Sequence, residues 1–269
     1  MNGGLYPDRL KAAIALLIRV CNSCNLTNWL IKPGEFMVTT SKTRVRTGSR
    51  HQPDQTRAAI LDAAMREFAL EGVDGARTEA IARAAKVNKA LLYYYFHDKE
   101  ALFGAVLDRV FSELTGAIEA AINSVAGPRE KLLAYLNAHF DFVASSPLRP
   151  RLFQREMMRS GRNGSPHLKR IVEEHLRPTF MKVAQLIVEG IQSGDFRPVD
   201  PAHFVPSVIG VIVFYFSTPV PKMITGVDPY SPKMIAERRA AVIDFVSAAL
   251  FRNQNGLNPG ATTRKGARK

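Results

Sequence analysis

The chain of 269 residues has the length of one large domain or two small ones, and its composition, 46% hydrophobic and 23% charged, is that of a globular protein. Two cysteines are too few for a disulfide framework. The longest apolar run apart from glycine, residues 208–216, is much shorter than the ~20 residues that span a bilayer. These features argue against an integral membrane protein, a disulfide-stapled secreted module and a zinc-finger protein.

The net charge of +13 is concentrated at the two ends of the chain. Residues 1–53 carry eight Lys/Arg and two acidic residues, and residues 251–269 carry five Lys/Arg and no acid. Residues 54–250 are nearly neutral, with 24 basic and 22 acidic side chains. Basic ends on a near-neutral body are typical of arms that meet a polyanion. The alternative is that they are solvated tails that only improve solubility.

The first 36 residues differ in character from the rest. The apolar stretch Leu10–Val20 is interrupted by basic residues, so it fits a secretory signal only in part. The pair Cys21 and Cys24 lacks the flanking strand and helix of a redox motif. Met37 opens a stretch rich in Thr, Ser and Arg, and our hypothesis is that translation starts there and that residues 1–36 are an over-long gene prediction.

From residue 54 onward, apolar side chains recur at helical spacing. Gly72 is expected to end a first helix, and Thr78 to cap a short second one. Asn88 is expected to cap a third short helix, Lys89–Tyr95, and Asp98 a long fourth helix. The pattern therefore predicts three short or medium helices followed by a long one.

Further amphipathic helices are predicted at about 129–145, 149–159, 167–193, 201–217 and 232–251. One connection is well marked, because Gly194 suits a left-handed helix end, Asp200 an N-cap and Pro201 the first helical position. No strand pattern of useful length is present. The chain is predicted to be all-α.

Helices of this length and spacing predict a helix-turn-helix, whose short second member presents its N-terminal side chains to the major groove of DNA. The specific signal is I-A-x-x-A-x-V-x-K-x-x-L-Y-x-Y-F-x-x-K-E, running from Ile81 to Glu100. It closely resembles the DNA-binding signature of the tetracycline-repressor (TetR) family of bacterial transcription regulators. Glycine is usual in that family where this chain has Ala90. The resemblance is strong over 54–103 and architectural over 104–252.

The resemblance implies a set of DNA contacts, and the side chains suit them. Lys89 can reach a guanine edge or a phosphate, and the Ala90 methyl group can meet a thymine methyl. Lys99, chiefly a phosphate contact, lies at a helix N-terminus that already favours an anion. The predicted DNA-binding residues are Arg77, Thr78, Asn88, Lys89, Ala90, Tyr93, Tyr94 and Lys99, with Arg44 and Arg46 in the preceding arm. Ile81, Leu92, Tyr95 and Phe96 are expected to hold the small domain together.

The predicted DNA-binding domain itself is not basic. Residues 54–100 carry seven basic and eight acidic side chains, which departs from the usual expectation. The segment just before it supplies positive charge through Lys42, Arg44, Arg46 and Arg50. Such an arm can lie along the DNA backbone or enter the minor groove, where arginine is favoured. The alternative is a solvated tail.

The remaining helices form a domain larger than DNA binding requires, and the resemblance implies that it binds an effector and dimerises. Residues 204–216 are apolar on nearly every helical face, so this helix must be buried on all sides. The resemblance implies that it and the last helix pair with their symmetry mates, whereas a helix internal to a monomer is the alternative. The predicted interface residues are Val208, Ile212, Tyr215, Val242, Phe245, Val246 and Ala249.

The effector is expected to be an unidentified small molecule, apolar or amphipathic. The predicted pocket residues, on helices that surround the cavity in relatives, are Phe140, Phe153, Met157, Phe180 and Phe214. Phe and Met at helical spacing are also typical of a core, which is the alternative. A further cluster, Arg149, Arg151, Arg155 and Arg159, could hold an anionic effector or form a solvated basic face.

The sequence thus predicts four parts: a basic, disordered extension (1–53), a helix-turn-helix domain (54–100), an effector-binding and dimerisation domain (101–252) and a basic, disordered tail (253–269). The predicted protein is a cytoplasmic homodimer that binds double-stranded operator DNA in a sequence-specific manner. An effector releases it from the operator by favouring a different spacing of the recognition helices, which must sit ~34 Å apart. The long fourth helix, Lys99–Asn123, is the expected lever, because it belongs to both domains.

Two other classes of protein are alternatives to this reading. An enzyme is disfavoured because the chain has no His-Glu-x-x-His, G-x-S-x-G, P-loop or G-x-G-x-x-G motif. Glu173, Glu174 and His175 are expected to form no compact ligand set, since neighbours on a helix diverge by ~100°. No cofactor, metal or membrane partner is predicted. The second alternative is a DNA-binding or interaction protein of the same fold that needs no effector.

Overall fold

A computed structural model describes residues 52–252, which fold into α-helices joined by short turns. Residues 1–51 of the predicted extension, including Arg44 and Arg46, and the predicted tail lie outside the described residues. Residues 52 and 53, predicted to be disordered, belong instead to the first helix. The helices are α1 (Gln52–Gly75), α2 (Thr78–Ala84), α3 (Lys89–Phe96), α4 (Lys99–Asn123), α5 (Pro128–Ala144), α6 (Leu148–Ser160), α7 (Pro166–Ile171), α8 (Arg177–Gln192), α9 (Pro201–Ser217), α10 (Val220–Thr225) and α11 (Pro232–Leu250). A π-helical turn, Val172–Leu176, joins α7 to α8.

The predicted boundaries of the first helices are largely confirmed. Gly72, with φ 73° and ψ 176°, interrupts the helical path of α1 where its end was predicted. The Asn88 side chain accepts the Leu91 N–H at 2.7 Å, and the Asp98 side chain accepts the Ala101 N–H at 2.7 Å. The prediction for Thr78 is wrong: Arg77 occupies the N-cap of α2, without a side-chain bond, and Thr78 is the first helical residue.

The later helices also follow the predicted order, with two differences. The single helix predicted over 167–193 is divided by the π-helical turn. Such a turn inserts one extra residue into a helix without ending it. The short α10 was missed, because six residues are too few to show a helical period. Asp200 caps α9 as predicted by accepting the Ala202 N–H at 2.8 Å.

The long helix α4 connects the N-terminal helices with the rest of the fold. Its first half packs on α1, where the Phe103 ring meets the Phe68 ring edge-on with centroids 5.1 Å apart. Its length also packs against α5, and Val110 and Leu114 face that side. One continuous hydrophobic core runs through the described residues. In residues 52–252, no helix is long and apolar enough to cross a membrane.

Candidate DNA-binding surface and effector cavity

Helices α2 and α3 form a helix-turn-helix in which α3 is anchored by two side chains. Leu92 is fully buried and Phe96 nearly so, and Ile81 of α2 is buried with them. The opposite face of α3 leaves Lys89, Ala90 and Tyr94 exposed. The anchoring residues of this segment therefore lie on the buried face, and Lys89, Ala90 and Tyr94 lie on the exposed face.

An ion pair joins α2 to the recognition helix α3. Lys89 Nζ lies 2.5 Å from Glu79 Oε1, and both side chains remain exposed. The Lys89 ammonium lowers the pKa of Glu79, and the Glu79 carboxylate raises the pKa of Lys89, in both cases chiefly through their hydrogen bond. The sequence does not predict this ion pair, because a pairing across ten residues depends on how two helices pack.

The other predicted DNA contacts occupy different surroundings. Arg77 and Asn88 are exposed, and Tyr93 is 36% exposed. Thr78 is buried, and its hydroxyl lies 3.4 Å from the Tyr93 hydroxyl. Lys99 is half-buried and donates to the carbonyls of Asp74 and Ala76, at 3.2 and 3.3 Å, so most of its hydrogen bonding serves the end of α1.

The larger part of the fold contains an apolar cavity of about 230 Å³ lined by residues of α4, α5, α6, α8 and α9, called the α4–α9 cavity below. Phe153 and Phe180, two of the predicted pocket residues, line it. The other three are placed elsewhere, which corrects the prediction. Phe140 is buried in the core against Phe216, whereas Met157 and Phe214 are about half exposed and do not reach the cavity wall.

Two buried polar residues on α5 line this cavity. The Tyr135 hydroxyl lies 3.3 Å from His139 Nδ1, and the two side chains are 2% and 5% exposed. Burial disfavours the charged form of each group. It lowers the pKa of His139 to about 4 and raises the pKa of Tyr135 above its usual range. At neutral pH the cavity therefore presents an uncharged hydrogen-bonding pair.

The arginine cluster predicted around α6 is mostly engaged within the chain. Arg149 bonds Glu113 at 3.2 Å and the Phe142 carbonyl at 3.1 Å. Arg155 bonds backbone carbonyls of α1, and Arg159 bonds Glu100 and Glu156, each at 3.1 Å. Of the four, only Arg151 makes neither a hydrogen bond nor an ion pair with another described residue. Neither an anion-binding cluster nor a simple solvated face describes these residues.

Helix α6 contacts both the cavity and the DNA-binding helices. Phe153 lines the cavity, and two residues later Arg155 Nε donates to the Ala69 carbonyl at 2.9 Å while its Nη2 donates to the Leu70 carbonyl. These carbonyls belong to the last regular turn of α1 before Gly72. The cavity lining and the end of α1 are therefore both contacted by residues within one turn of α6.

The expectation that residues 173–175 bring no ligand atoms together is wrong for two of them. In the π-helical turn, Glu174 and His175 come together with Asp108 of α4, with one donor atom of each within 4.8 Å of the others. Arg170 donates to Oδ2 of Asp108, whereas Oδ1 has no hydrogen-bond partner among the described residues and lies 3.9 Å from His175 Nε2. Glu173 is not part of the set.

The predicted dimer residues do not form one exposed surface. Val208, Ile212, Val242 and Val246 are buried within the chain, which corrects their assignment to an interface. Tyr215 and Ala249 are half-buried. Phe245 alone of the set is well exposed, at 59%, and Phe214 of α9 is exposed to the same extent.

An exposed face nevertheless remains on α9 and α11. Pro206, Gly210 and Phe214 repeat every four residues on α9, and Ala241, Phe245 and Ala248 repeat at helical spacing on α11. The helices contact each other, and Arg238 of α11 donates to the Val211 carbonyl of α9 at 2.6 Å. These six residues are called the α9–α11 face below.

Comparison with known proteins agrees with this architecture. The profile described as "Bacterial regulatory proteins, tetR family" matches residues 60–106, and "Tetracyclin repressor-like, C-terminal domain" matches residues 128–246. The HTH-type transcriptional regulator RutR of Escherichia coli (strain K12) is 32% identical over 160 residues, which cover 59% of this chain and 73% of RutR. The HTH-type transcriptional repressor SCO4008 of Streptomyces coelicolor is 33% identical, covering 56% and 72% of the two chains.

Solved structures share the fold at lower identity. The ketosteroid transcriptional regulator KstR2 of Mycobacterium tuberculosis superimposes with a TM-score of 0.60 and 19% identity, over 73% of this chain and 95% of that one. A transcriptional regulator from Saccharomonospora viridis, solved with choline, gives a TM-score of 0.59 and 20% identity, over 74% and 100%. The chain is a helix-turn-helix DNA-binding regulator of transcription. It belongs to the tetracycline-repressor family.

Proposed function

We propose that the protein is a homodimeric repressor that leaves its operator when a small molecule enters the α4–α9 cavity. The observation that carries this proposal is the position of α6, which lines the cavity with Phe153 and holds α1 with Arg155. An effector can change DNA affinity only if it binds two conformations differently, and α6 supplies a direct route for such a difference. We place the protein in the cytoplasm, where bacterial operators are.

The proposed DNA-binding surface is the exposed end of the helix-turn-helix. Lys89, Ala90, Tyr93 and Tyr94 on α3 face outward with Arg77 at the start of α2. Lys89 is proposed to read a base edge, and the tyrosine hydroxyls to meet phosphates. The contribution of Lys99 is proposed to be smaller than the sequence predicts, because its ammonium already bonds two carbonyls.

The proposed dimer contact is the α9–α11 face. Phe214 and Phe245 supply exposed aromatic area, while Gly210, Ala241 and Ala248 allow two helix backbones to approach closely. A twofold axis through this face places two copies of α3 on one side of the DNA. This proposal keeps Phe245 from the residues that the sequence predicted and replaces the buried ones with exposed residues of α9 and α11.

The experiment begins by selecting duplex DNA from a random pool with the purified full chain. Binding to the selected sequence is then measured with and without compounds that raise the thermal midpoint. The proposal requires at least one compound that both stabilises the protein and weakens selected-DNA binding. Compounds that stabilise the protein but leave DNA affinity unchanged would instead favour an effector-independent DNA-binding protein.

A pair of substitutions tests the DNA surface. Lys89→Ala should cost about 1–3 kcal/mol on the selected sequence and relax specificity at one base position. Arg162→Ala, an exposed arginine on the turn after α6, is the matched control and should leave DNA affinity unchanged. An equal loss on selected and random DNA for Lys89→Ala would mean that Lys89 meets phosphate only.

A further inference from the structure

The residues that line the α4–α9 cavity restrict the charge of the ligand that can bind there. Among the described residues, its lining is mainly aliphatic and aromatic, and Arg149 is the only lining residue with a permanent charge. We infer that the effector is an uncharged, largely apolar molecule whose hydrogen-bonding group meets the Tyr135–His139 pair. This inference rests on the proposed function, because it names the ligand class of the same cavity.

The charge of Arg149 is already matched inside the protein. Its guanidinium bonds Glu113, the Phe142 carbonyl and the Ser145 hydroxyl, and it stacks 4.1 Å from the centroid of the Phe142 ring. The Arg149 Nε has no hydrogen-bond partner among the described residues, but Glu113 already balances the charge of the guanidinium, so an anionic ligand would compete with that carboxylate. Among the described residues, no acidic side chain lines the cavity to receive a cationic ligand. A charged group moved here from water therefore loses hydration without a compensating partner.

The polar groups that remain are few. The hydroxyl of Thr179 donates to the His175 carbonyl at 2.9 Å, and that of Thr115 donates to the Ser112 carbonyl at 3.3 Å. Both hydroxyl protons are thus committed to their own helices. Among the cavity-lining residues, the Tyr135–His139 pair is left as the group that can exchange a hydrogen bond with a ligand in either direction.

The geometry of this pair suits a neutral alcohol or carbonyl. In a neutral imidazole one nitrogen donates and the other accepts, so Nδ1 engages the Tyr135 hydroxyl and Nε2 keeps the complementary role. Burial keeps His139 uncharged, so it cannot act as a counter-ion for a carboxylate at neutral pH. The volume of about 230 Å³ is below the usual range of drug-sized pockets, which favours a compact ligand.

The test compares three ligands with the same eight-carbon chain, 1-octanol, octanoate and octylamine, by calorimetric titration of the full chain at neutral pH. Toluene serves as an apolar ligand without a strong hydrogen-bonding group. We expect 1-octanol and toluene to bind, and both charged ligands to bind at least about tenfold more weakly than 1-octanol, since unpaired burial of charge is costly. A charged ligand that binds as tightly as 1-octanol would overturn the inference.

A substitution locates the hydrogen bond. Tyr135→Phe should weaken 1-octanol binding by about threefold to tenfold, the range of one neutral hydrogen bond, and leave toluene binding unchanged. Tyr95→Phe removes one hydroxyl from a half-buried tyrosine in α3 and should leave both ligands unaffected. Unchanged 1-octanol binding in Tyr135→Phe would overturn the assignment of the polar group.

The outcomes separate this inference from the proposed function. If toluene binds and 1-octanol does not, the cavity accepts ligands but the proposed polar contact is wrong. If neither uncharged ligand binds and no compound of any charge stabilises the protein, the effector-binding function falls and this inference falls with it. If octanoate binds best and also weakens DNA binding, the proposed function stands and the uncharged class is wrong.

Discussion

Lys89 and Glu79 form an ion pair across the helix-turn-helix, with Nζ and Oε1 2.5 Å apart. In this pair the charge of Lys89, which is proposed to read DNA, is neutralised by the carboxylate of Glu79 on the preceding helix. To contact DNA, Lys89 must exchange Glu79 for an acceptor on the nucleic acid. Since Glu79 also repels phosphates, the pair should weaken non-specific binding more than specific binding.

Glu79→Gln should therefore strengthen binding to random-sequence DNA and make its salt dependence steeper by about one unit of log K against log salt. The ratio of selected to random affinity should fall. Fluorescence anisotropy titrations at several salt concentrations measure both quantities. Glu71→Gln is the control, because it removes the same charge from an exposed residue of α1 that has no ion pair among the described residues. Identical slopes for the two variants would contradict the proposed role of Glu79.

Arg155→Lys keeps the charge of α6 but cannot reproduce the forked bonds to the Ala69 and Leu70 carbonyls. We expect the free energy of unfolding to fall by about 1 kcal/mol and amide exchange to quicken at the end of α1. Hydrogen-exchange mass spectrometry over residues 69–75 provides the measurement. Arg162→Lys changes an exposed site that makes no hydrogen bond with another described residue and should change neither property. Unchanged exchange in Arg155→Lys would remove α6 as the connection between cavity and DNA-binding helices.

Phe245→Lys places a charge at the centre of the α9–α11 face and should convert the protein to monomers of about 29.8 kDa. The physical reason is the desolvation of an unpaired ammonium against an apolar partner surface. Light scattering after size exclusion gives the mass. Met223→Lys changes an equally apolar residue, 77% exposed on α10, and should leave the dimer intact. A Phe245→Lys protein that remains dimeric would place the interface elsewhere.

Substitution of two helical glycines by alanine should change the free energy of unfolding in opposite directions. A methyl group at Gly190 of α8 would overlap the buried Phe196 ring, so Gly190→Ala should lower the free energy of unfolding by about 1–3 kcal/mol. Gly116 of α4 faces open space, and Gly116→Ala should raise it by about 0.5–1 kcal/mol. Denaturant titration distinguishes the two. Stabilisation by both variants would mean that Phe196 does not pack against α8.

His139 should make the stability of the protein depend on pH. Its pKa is lowered by burial to about 4, from an ordinary value of 6.5, so the unfolded chain binds more protons between these limits. The contribution of uncharged His139 to the free energy of unfolding is fully present above about pH 6.5 and is lost as the pH falls toward 4. From pH 7 to pH 5 the wild type should lose about 2 kcal/mol more than His139→Gln. The exposed His203→Gln should follow the wild type, and a His139→Gln curve parallel to the wild type would show that His139 is not the group involved.

The sequence by itself determined the helical fold class and the order of the long helices. Caps such as Asn88 and Asp98 act on their own helix, and apolar periodicity is read within one helix, so both signals are local. The helix-turn-helix was predictable for the same reason, since its motif lies in about 20 consecutive residues. The π-helical turn and the six-residue α10 were not, because neither has a periodic signature.

The tertiary structure decided which apolar side chains face solvent and which ionic groups meet. The apolar pattern of α9 predicted burial on all sides, whereas packing against α5, α6, α8 and α11 leaves Ile212 internal and Phe214 exposed. The partners of Glu79, Lys99 and Arg155 likewise lie on other helices. Hydrophobicity determines how strongly a side chain avoids water, but it does not select a particular neighbour. A hydrogen bond or ion pair forms only when two groups lie within a few ångströms, and the packing of helices that are distant in sequence determines that separation.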